Sequence, residues 1–314
     1  MPEPPAAVAE EQRWNRWHAQ CCEATPSDMN SPRDLRRRIK SIRGTAQISR
    51  AMQMVAASTM RNAQQVAITA TPFAQLLHRI QRSATARLHE FAHPLLEVRE
   101  VRQRAVILIA GDKGLSGALN TNVFRLAARF EPDSTVFIAA GRKAGQFVAR
   151  TRRQLAAEFA YGESPLLPEA GAIAGFARAL FLDRRVDEVR IVTTRFVNTL
   201  TQEPVSLEYL PVRSIADLRL PDVENERPAA TEEAGFEPDP EAGLAYLLGV
   251  YLNVYLYSAL LNARASEQSA RMVSLKNATD SAEALIDTLT LEYNQLRQGN
   301  ITRGLLEIAG GQAH

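Results

Sequence analysis

Between Arg33 and Thr71 apolar and small residues recur at a helical interval. Leu35, Ile39, Ile42, Ala46 and Ser49 step by four and three, and Ile48, Met52 and Val55 continue an adjacent stripe. With no proline and only Gly44 in that stretch, the pattern predicts a helix with a narrow seam of rather small residues. The other end of the chain repeats the pattern at greater length. From Val250 to Gln298 there is neither glycine nor proline, and Leu275, Thr279, Ala282, Ile286, Leu289, Tyr293, Leu296 and Asn300 alternate steps of four and three without a break. A seven-residue repeat held that long drifts off the face of a straight helix unless the helix supercoils with a partner. At 1.5 Å per residue this helix runs on the order of 80 Å, longer than a globular body needs. It must project, and the N-terminal helix is the candidate to cover its seam.

The middle of the chain has a different rhythm. AVILIA (Ala105 to Ala110), TVFIAA (Thr135 to Ala140), VRIVTT (Val189 to Thr194) and VSLEYL (Val205 to Leu210) are short β-rich runs. The lengths between them suit βαβ crossovers and a mostly parallel sheet. The predicted organisation is an N-terminal extension over 1–28, a first shaft helix over 29–94, and a central Rossmann-like α/β domain over 95–215. An acidic, proline-containing loop over 216–242 and a second shaft helix over 243–314 complete it. The fold class is α/β, with the N-terminal helix as the candidate partner of the C-terminal seam.

Composition adds location and charge. A chain of 314 residues, 46% hydrophobic, can bury a full core. No apolar stretch approaches the roughly 20 residues of a membrane span. The net charge of +2 hides a basic first helix, with Arg33, Arg36, Arg37, Arg38, Lys40, Arg43, Arg50 and Arg61 against Asp34 alone. Such a face reads either as solvated charge or as a nucleic-acid contact. Cys21 and Cys22 are adjacent, which excludes a disulfide framework and zinc-ligand spacing. The first 28 residues carry prolines and four glutamates but no apolar core, so they read as a disordered tail instead of a secretory or transit signal, with Met29 as an alternative start.

Two motifs invite an enzymatic reading. HEFAH, His89 to His93, matches the zinc-hydrolase pattern H-E-x-x-H, but Pro94 interrupts the helix that would bring both histidines to one metal. ILIAGDKGLSGALN enters a glycine turn after an apolar run, the outline of a phosphate-cradling loop. Gly111, Gly114 and Gly117 nevertheless fit neither the dinucleotide nor the P-loop spacing. The second strand runs into Gly141, Arg142 and Lys143, without the acid that holds a ribose hydroxyl, although those bases would suit a 2′-phosphate. The commoner use of such glycines is steric, giving positive φ in the turn and close helix-to-strand contact. No catalytic triad assembles by spacing; the chemistry predicts no catalytic residue, no metal and no cofactor.

Ser31 to Gln64, SPRDLRRRIKSIRGTAQISRAMQMVAASTMRNAQ, closely resembles the N-terminal helix of the gamma subunits of F-type ATP synthases. Ser266 to Gly311 resembles that family's most characteristic region, and HPLLEVREVRQRAVILIAGDKGLSGALN lies where the family has its HP motif and a strand followed by GLCGGLN. The sequence departs from many relatives in having Ser116 in place of cysteine and Ala118 in place of glycine, and it lacks the redox cysteine pair of chloroplast relatives. The resemblance implies that the terminal helices form a long antiparallel coiled coil beside a Rossmann-like α/β domain, a central rotary shaft that couples proton flow through a membrane c-ring to ATP synthesis or hydrolysis in an alpha/beta ring. Its implied partners are the alpha, beta, delta and epsilon subunits and the c-ring, with no nucleic acid. Its implied place is peripheral, on the cytoplasmic side of a bacterial inner membrane. Candidate contacts with the alpha/beta ring are then Arg36, Arg37, Arg38, Lys40, Arg43, Met52, Arg271, Tyr293, Ile301 and Leu305. Gly111, Gly114 and Gly117 become a structural turn.

A register follows if Pro72 and Gly249 mark one level of the pair. Facing residues of an antiparallel pair keep a constant sum, here about 321. That places Met52 near Ser269, and leaves an overhang from Leu291 to Ala309 in which Tyr293, Leu296, Ile301, Leu305 and Ile308 have no partner in the chain.

Overall fold

The computed structural model describes residues 31–87, 93–162, 165–212 and 240–311. The N-terminal extension, His89 and Glu90 of the HEFAH motif and nearly all of the acidic loop lie outside the described residues. The fold is mixed α/β, with a parallel-dominated sheet between two very long helices. Helix α1 (Pro32–Arg87) is followed by a 3-10 turn (Pro94–Leu96), β1 (Arg104–Ile109), α2 (Leu119–Ala127), β2 (Thr135–Ala140) and α3 (Arg142–Arg150). Then come β3 (Gln154–Phe159), α4 (Leu167–Leu182), β4 (Glu188–Phe196), β5 (Gln202–Leu210) and α5 (Pro240–Gly311). Two compact units result, one of Met1–Ala51 with Lys276–His314 and one of Met52–Leu275. The division falls inside both long helices, not where they join the sheet.

In the unit Met52–Leu275 the strands run in the order β3-β2-β1-β4-β5. β2 and β4 both pair parallel to β1, β3 pairs parallel to β2, and only β5 is antiparallel, returning from β4 through a short loop. Strand β1 is buried on both faces, as a central parallel strand must be. Ala105, Ile107 and Ile109 face a core shared with Ile173, Ala177 and Phe181 of α4 and Leu248, Leu252 and Leu256 of α5. Val106 and Leu108 face the opposite core, with Val123 of α2 and Val148 of α3. Strand β3 was absent from the sequence pattern. It is an edge strand, largely exposed, and QLAAEF has only weak alternation because its apolar cover is confined to one end, where Phe159 packs against Phe176.

The unit of residues 32–51 and 276–311 is built from parts of the two long helices alone. Ser31 caps α1: its Oγ accepts from the amide of Asp34 at 3.2 Å. The inward positions of α1 are Leu35, Ile39, Ile42, Ala46 and Ser49, the seam read from the sequence, with Leu35 only 3% exposed. On α5 the covered positions are Thr279, Ala282, Ile286, Leu289, Tyr293 and Leu296, again in the predicted steps, while Asn300 is exposed. The adjacent stripe is not core: Ile48, Met52 and Val55 are all exposed.

Three expectations about the helices need correction. Helix α1 passes through Pro72, and α5 begins at Pro240, passes Gly249 and continues beyond Gly299 and Gly304. A long helix absorbs one lost hydrogen bond or one flexible residue when its neighbours hold it. Neither Pro72 nor Gly249 therefore marks a helix end, and the register inferred from them is wrong. Arg50 Nη2 lies 2.8 Å from Glu283 Oε1, and Arg43, Ala46, Gln47, Arg50, Glu283, Ile286 and Asp287 line one groove. For an antiparallel pair that contact sets the sum at about 333, three turns away from 321. Tyr293 and Leu296 are accordingly half-buried, not overhanging. Past the covered seam the exposed apolar residues are Ile301, Leu305, Leu306 and Ile308, while Leu285 and Leu291 lie exposed off the seam.

Cysteines at Ala46 and Ile286 should be bridged within one chain by a short bis-maleimide. Efficient bridging of Ala46 to Leu275, the pairing a sum of about 321 requires, would restore the sequence-derived register.

Candidate functional site

Ligands of open α/β sheets sit outside the carboxyl ends of the strands, where the strand order reverses. Here that place lies between β1 and β4, whose ends lead into the glycine turn after Ile109 and the loop after Phe196. Helix α5 of the same chain lies across both. Ser269 Oγ donates to the carbonyl of Thr199 at 2.7 Å, and Arg271 Nε donates to the carbonyl of Gly114 at 3.3 Å. The carboxylate of Glu267 lies so close to Gly111 that a Cβ there would collide with it.

The contacting face of α5 is polar where the preceding face is apolar. Leu248, Leu252, Leu256, Leu260 and Ala263 form an inward row, and the same row continues to Glu267 and Arg271. Glu267 is 1% exposed. Its two oxygens each meet a guanidinium at 2.5 Å, Arg264 Nη1 on one side and Arg271 Nη2 on the other. Arg271 also donates to Gln268 Oε1 at 2.9 Å. An isolated carboxylate at that depth costs several kcal/mol, so its two partners are what permit it. Tyr161 closes the cluster: its ring lies 5.8 Å from the Arg264 guanidinium and its hydroxyl donates to Ala110 O at 3.1 Å. Burial first, and then the charge of Glu267, push that phenol well above its ordinary pKa, so it stays a donor.

A second acid guards the neighbouring helix. The N-terminus of α3, beside the Arg142 and Lys143 that would suit a 2′-phosphate, has Gly141 at φ 95°. The Arg142 amide donates to Asp112 Oδ1 at 2.7 Å, while Asn120 Oδ1 accepts from the Gly111 amide at 3.3 Å. Asp112 is the acid of the GDKG turn. The turn after β1, where a pyrophosphate would lie, and the N-terminus of α3 thus each hold a carboxylate of this chain, and like charge repels a phosphate. The glycines divide their roles: Gly111 permits the approach of Glu267, Gly117 takes φ 57°, and Gly114 has open space where a side chain would go. Leu115, not a glycine, supplies the other left-handed residue of the turn, at φ 64°.

Of the HEFAH motif the described part is His93. It caps the 3-10 turn, its Nδ1 accepting from the Leu95 amide at 3.2 Å, and burial lowers its pKa. Among the described residues no group of three or more His, Cys, Asp or Glu could hold a metal ion. Nor is any described helix long and apolar enough to cross a membrane.

A family model described as ATP synthase matches residues 31–313. The ATP synthase gamma chain of Opitutus terrae is 42% identical over 90% of this chain and 98% of its own length. That of Roseiflexus castenholzii is 42% identical over 91% and 98%, and that of Desulforamulus reducens 40% over 91% and 99%. The chain belongs to the ATP synthase gamma-chain family. Among solved structures it resembles the rotor of the Euglena gracilis mitochondrial ATP synthase, with a TM-score of 0.63 at 17% identity, covering 86% of this chain and 98% of that one. The central stalk of the Tetrahymena thermophila enzyme gives 0.56 at 24% identity, covering 74% and 99%. At those identities the likeness is one of fold.

Within this gamma-family chain the candidate contact residues separate into two groups. Arg36, Arg37, Arg38, Lys40, Arg43 and Met52 on α1, and Ile301 and Leu305 on α5, are exposed. Tyr293 is half-buried in the seam. Arg271 does not face outward as expected: Glu267, Gln268 and Gly114 O take its guanidinium. Glu267, Arg264, Ser269 and Asp112 were missed. The available signal was the apolar row of α5, which, continued by one turn, lands on Glu267.

Gly111→Ala should destabilise the fold by about 1–3 kcal/mol, because its Cβ must displace a buried carboxylate. Gly114→Ala should stay within about 0.5 kcal/mol. Urea unfolding of the two variants, side by side, makes the comparison.

His93 supplies a pH-dependent counterpart. Its lowered folded pKa means that the unfolded chain binds the proton more readily. Its contribution to stability is therefore complete above the ordinary histidine value of about 6.5 and falls as pH drops below that. Wild type should lose stability relative to His93→Asn over that interval, and parallel pH profiles would remove His93 from the account.

Proposed function

We propose that the chain is the central rotary shaft of an F-type ATP synthase. Residues 29–94 and 243–314 are its shaft helices, an antiparallel coiled coil over part of their length, and 95–215 its α/β foot. It couples proton flow through a c-ring to ATP synthesis or hydrolysis in an alpha/beta ring, and contributes no catalytic residue. Its partners are the alpha, beta, delta and epsilon subunits and the c-ring. Its place is peripheral, on the cytoplasmic side of the cell inner membrane, reached through the complex.

The observation that carries this reading is the mismatch between the two seams. In the unit of residues 32–51 and 276–311, α1 starts at Pro32, whereas α5 continues past the covered seam with Ile301, Leu305, Leu306 and Ile308 all more than half exposed. A cluster of exposed apolar residues of that kind marks a surface for a partner. The exposed bases Arg36, Arg37, Arg38, Lys40 and Arg43 supply long-range charge for partner loops. Asp112 and Glu267 at the strand ends favour a structural foot over a dinucleotide site.

Replacing Arg36, Arg37 and Arg38 together by Glu should reduce ATP-driven proton pumping of the assembled complex. Stability of the free chain should change by no more than about 0.5 kcal/mol per exposed site. Undiminished pumping would remove these residues from the partner surface. Salt-dependent DNA binding by the free chain, abolished in the same variant, would instead favour a nucleic-acid partner.

The isolated chain should hydrolyse no ATP and hold no stoichiometric zinc. One tightly bound zinc per chain, lost on His89→Ala, would overturn that expectation.

A further inference from the structure

Apolar packing alone holds a helix weakly in rotation. Contacts such as those of Leu248, Leu252 and Leu256 are non-directional, so a slip by one ridge replaces one set of contacts with a similar set. Hydrogen bonds and ion pairs restrict the angle, because their donors and acceptors must be aligned. In the unit Met52–Leu275 the directional contacts of α5 with the sheet loops gather in its last turns before Leu275. Ser269 reaches the loop after β4, and Arg271 and Glu267 reach the turn after β1. Two different loops are therefore gripped by residues spaced two and four apart on one stretch of helix.

The chemistry of the grip is unusual for a role in stability. A buried carboxylate between two guanidiniums is commonly no more stabilising than apolar residues of the same volume. What it adds is a single allowed geometry. Arg264 and Arg271 belong to α5 itself, so the pairs at 2.5 Å do not orient the helix. They hold the Arg271 guanidinium where its Nε reaches Gly114 O, while the carboxylate fills the recess over Gly111, and α5 meets both points of the turn at one azimuth. Gly111 has no side chain to hold the carboxylate away, and Tyr161 keeps Arg264 from swinging outward.

We propose that Glu267 is a positioning residue that locks α5 in rotation against the α/β sheet, so that torque passes between them without slip. The lock rests on the reading of the chain as a rotary shaft. Removing the charge leaves the apolar row of α5 and the Tyr209–Leu252 and Ser269–Thr199 bonds in place, but it frees Arg271 from its hold on Gly114 O and so loosens the angle of the helix over the β1 turn. ATP hydrolysis then continues while part of each rotation is lost before it reaches the sheet.

The test uses complete ATP synthase, assembled with the full chain, in sealed membrane vesicles. ATP hydrolysis and ATP-driven proton uptake are measured in the same preparation, for wild type, Glu267→Gln, Glu267→Ala and Glu203→Gln. Glu203 forms an exposed ion pair with Arg195 on the β4–β5 hairpin and controls for the loss of an ion pair as such. The lock requires hydrolysis within about twofold of wild type and a ratio of protons to ATP lowered several-fold in both Glu267 variants, with Glu203→Gln unchanged. A merely structural Glu267 would lower the amount of assembled complex and leave the ratio of the remainder intact, which would overturn the lock. The near-isosteric Gln variant keeps that distinction available if the Ala variant assembles poorly. A wild-type chain that supports no proton-pumping complex would refute the shaft reading and the lock with it, whereas wild-type pumping with an unaltered ratio in Glu267→Gln would refute the lock alone.

Discussion

One helix has to satisfy four successive environments without a break, and the rest of the fold is arranged around that requirement. Helix α5 runs for 72 residues from Pro240 to Gly311. Its inward row is apolar from Leu248 to Ala263, ionic at Arg264 to Arg271, a narrow seam from Leu275 to Leu296, and exposed apolar from Ile301 onward. A helix that simply finished a globular domain would stop where its apolar row ends. Here the polar stretch closes off the sheet while the backbone continues, so continuity of the helix, and not a loop, connects the two units.

The two packed stretches differ in how they are held. Against the sheet, leucines fill one side of a three-layer core in which almost every member is fully buried, and burial of each such side chain is worth about 1.5–3 kcal/mol. Along the seam the inward residues include Ala46, Ser49, Thr279 and Ala282, which bury little area each. The Arg50–Glu283 pair beside it is more than half exposed on both sides, and such pairs contribute about 0–1 kcal/mol. The seam is therefore the less stable part.

Much of this was legible because period is a physical signal. The seven-residue spacing located the covered positions from Leu35 to Ser49 and from Thr279 to Leu296, though not Ala56, Met60 and Ala63 further along α1, and four of the five strands announced themselves as β-rich runs. Strand β3 did not, since QLAAEF sits at an edge where neither face needs consistent apolarity. The axial register failed for a related reason. Pro72 and Gly249 look like breakers that mark one level of the pair, yet both lie inside their helices, where neighbours override a penalty of about 1–3 kcal/mol. Periodicity fixes which face is inward but says nothing about axial position. For that, a specific contact such as Arg50 with Glu283 is needed. The ion cluster was illegible for a different reason. Glu267, Arg264 and Arg271 look like surface charge in a helical sequence, and only the row they extend shows that they point inward.

The glycine turn illustrates why a fold does not decide a function. ILIAGDKGLSGALN has the strand, the turn and the helix of a nucleotide site, and the strand order puts the turn where a nucleotide would lie. The two acids reverse its meaning. Asp112 satisfies the α3 amide that a phosphate would otherwise attract, and Glu267 rests on the one glycine that would let a phosphate approach β1. The features that suit such a turn to anions, free amides and absent side chains, here serve carboxylates from within the chain. An anion-binding geometry has become a fastening for the helix that crosses it. The same two carboxylates that argue against a bound nucleotide are the ones that hold the crossing elements in place.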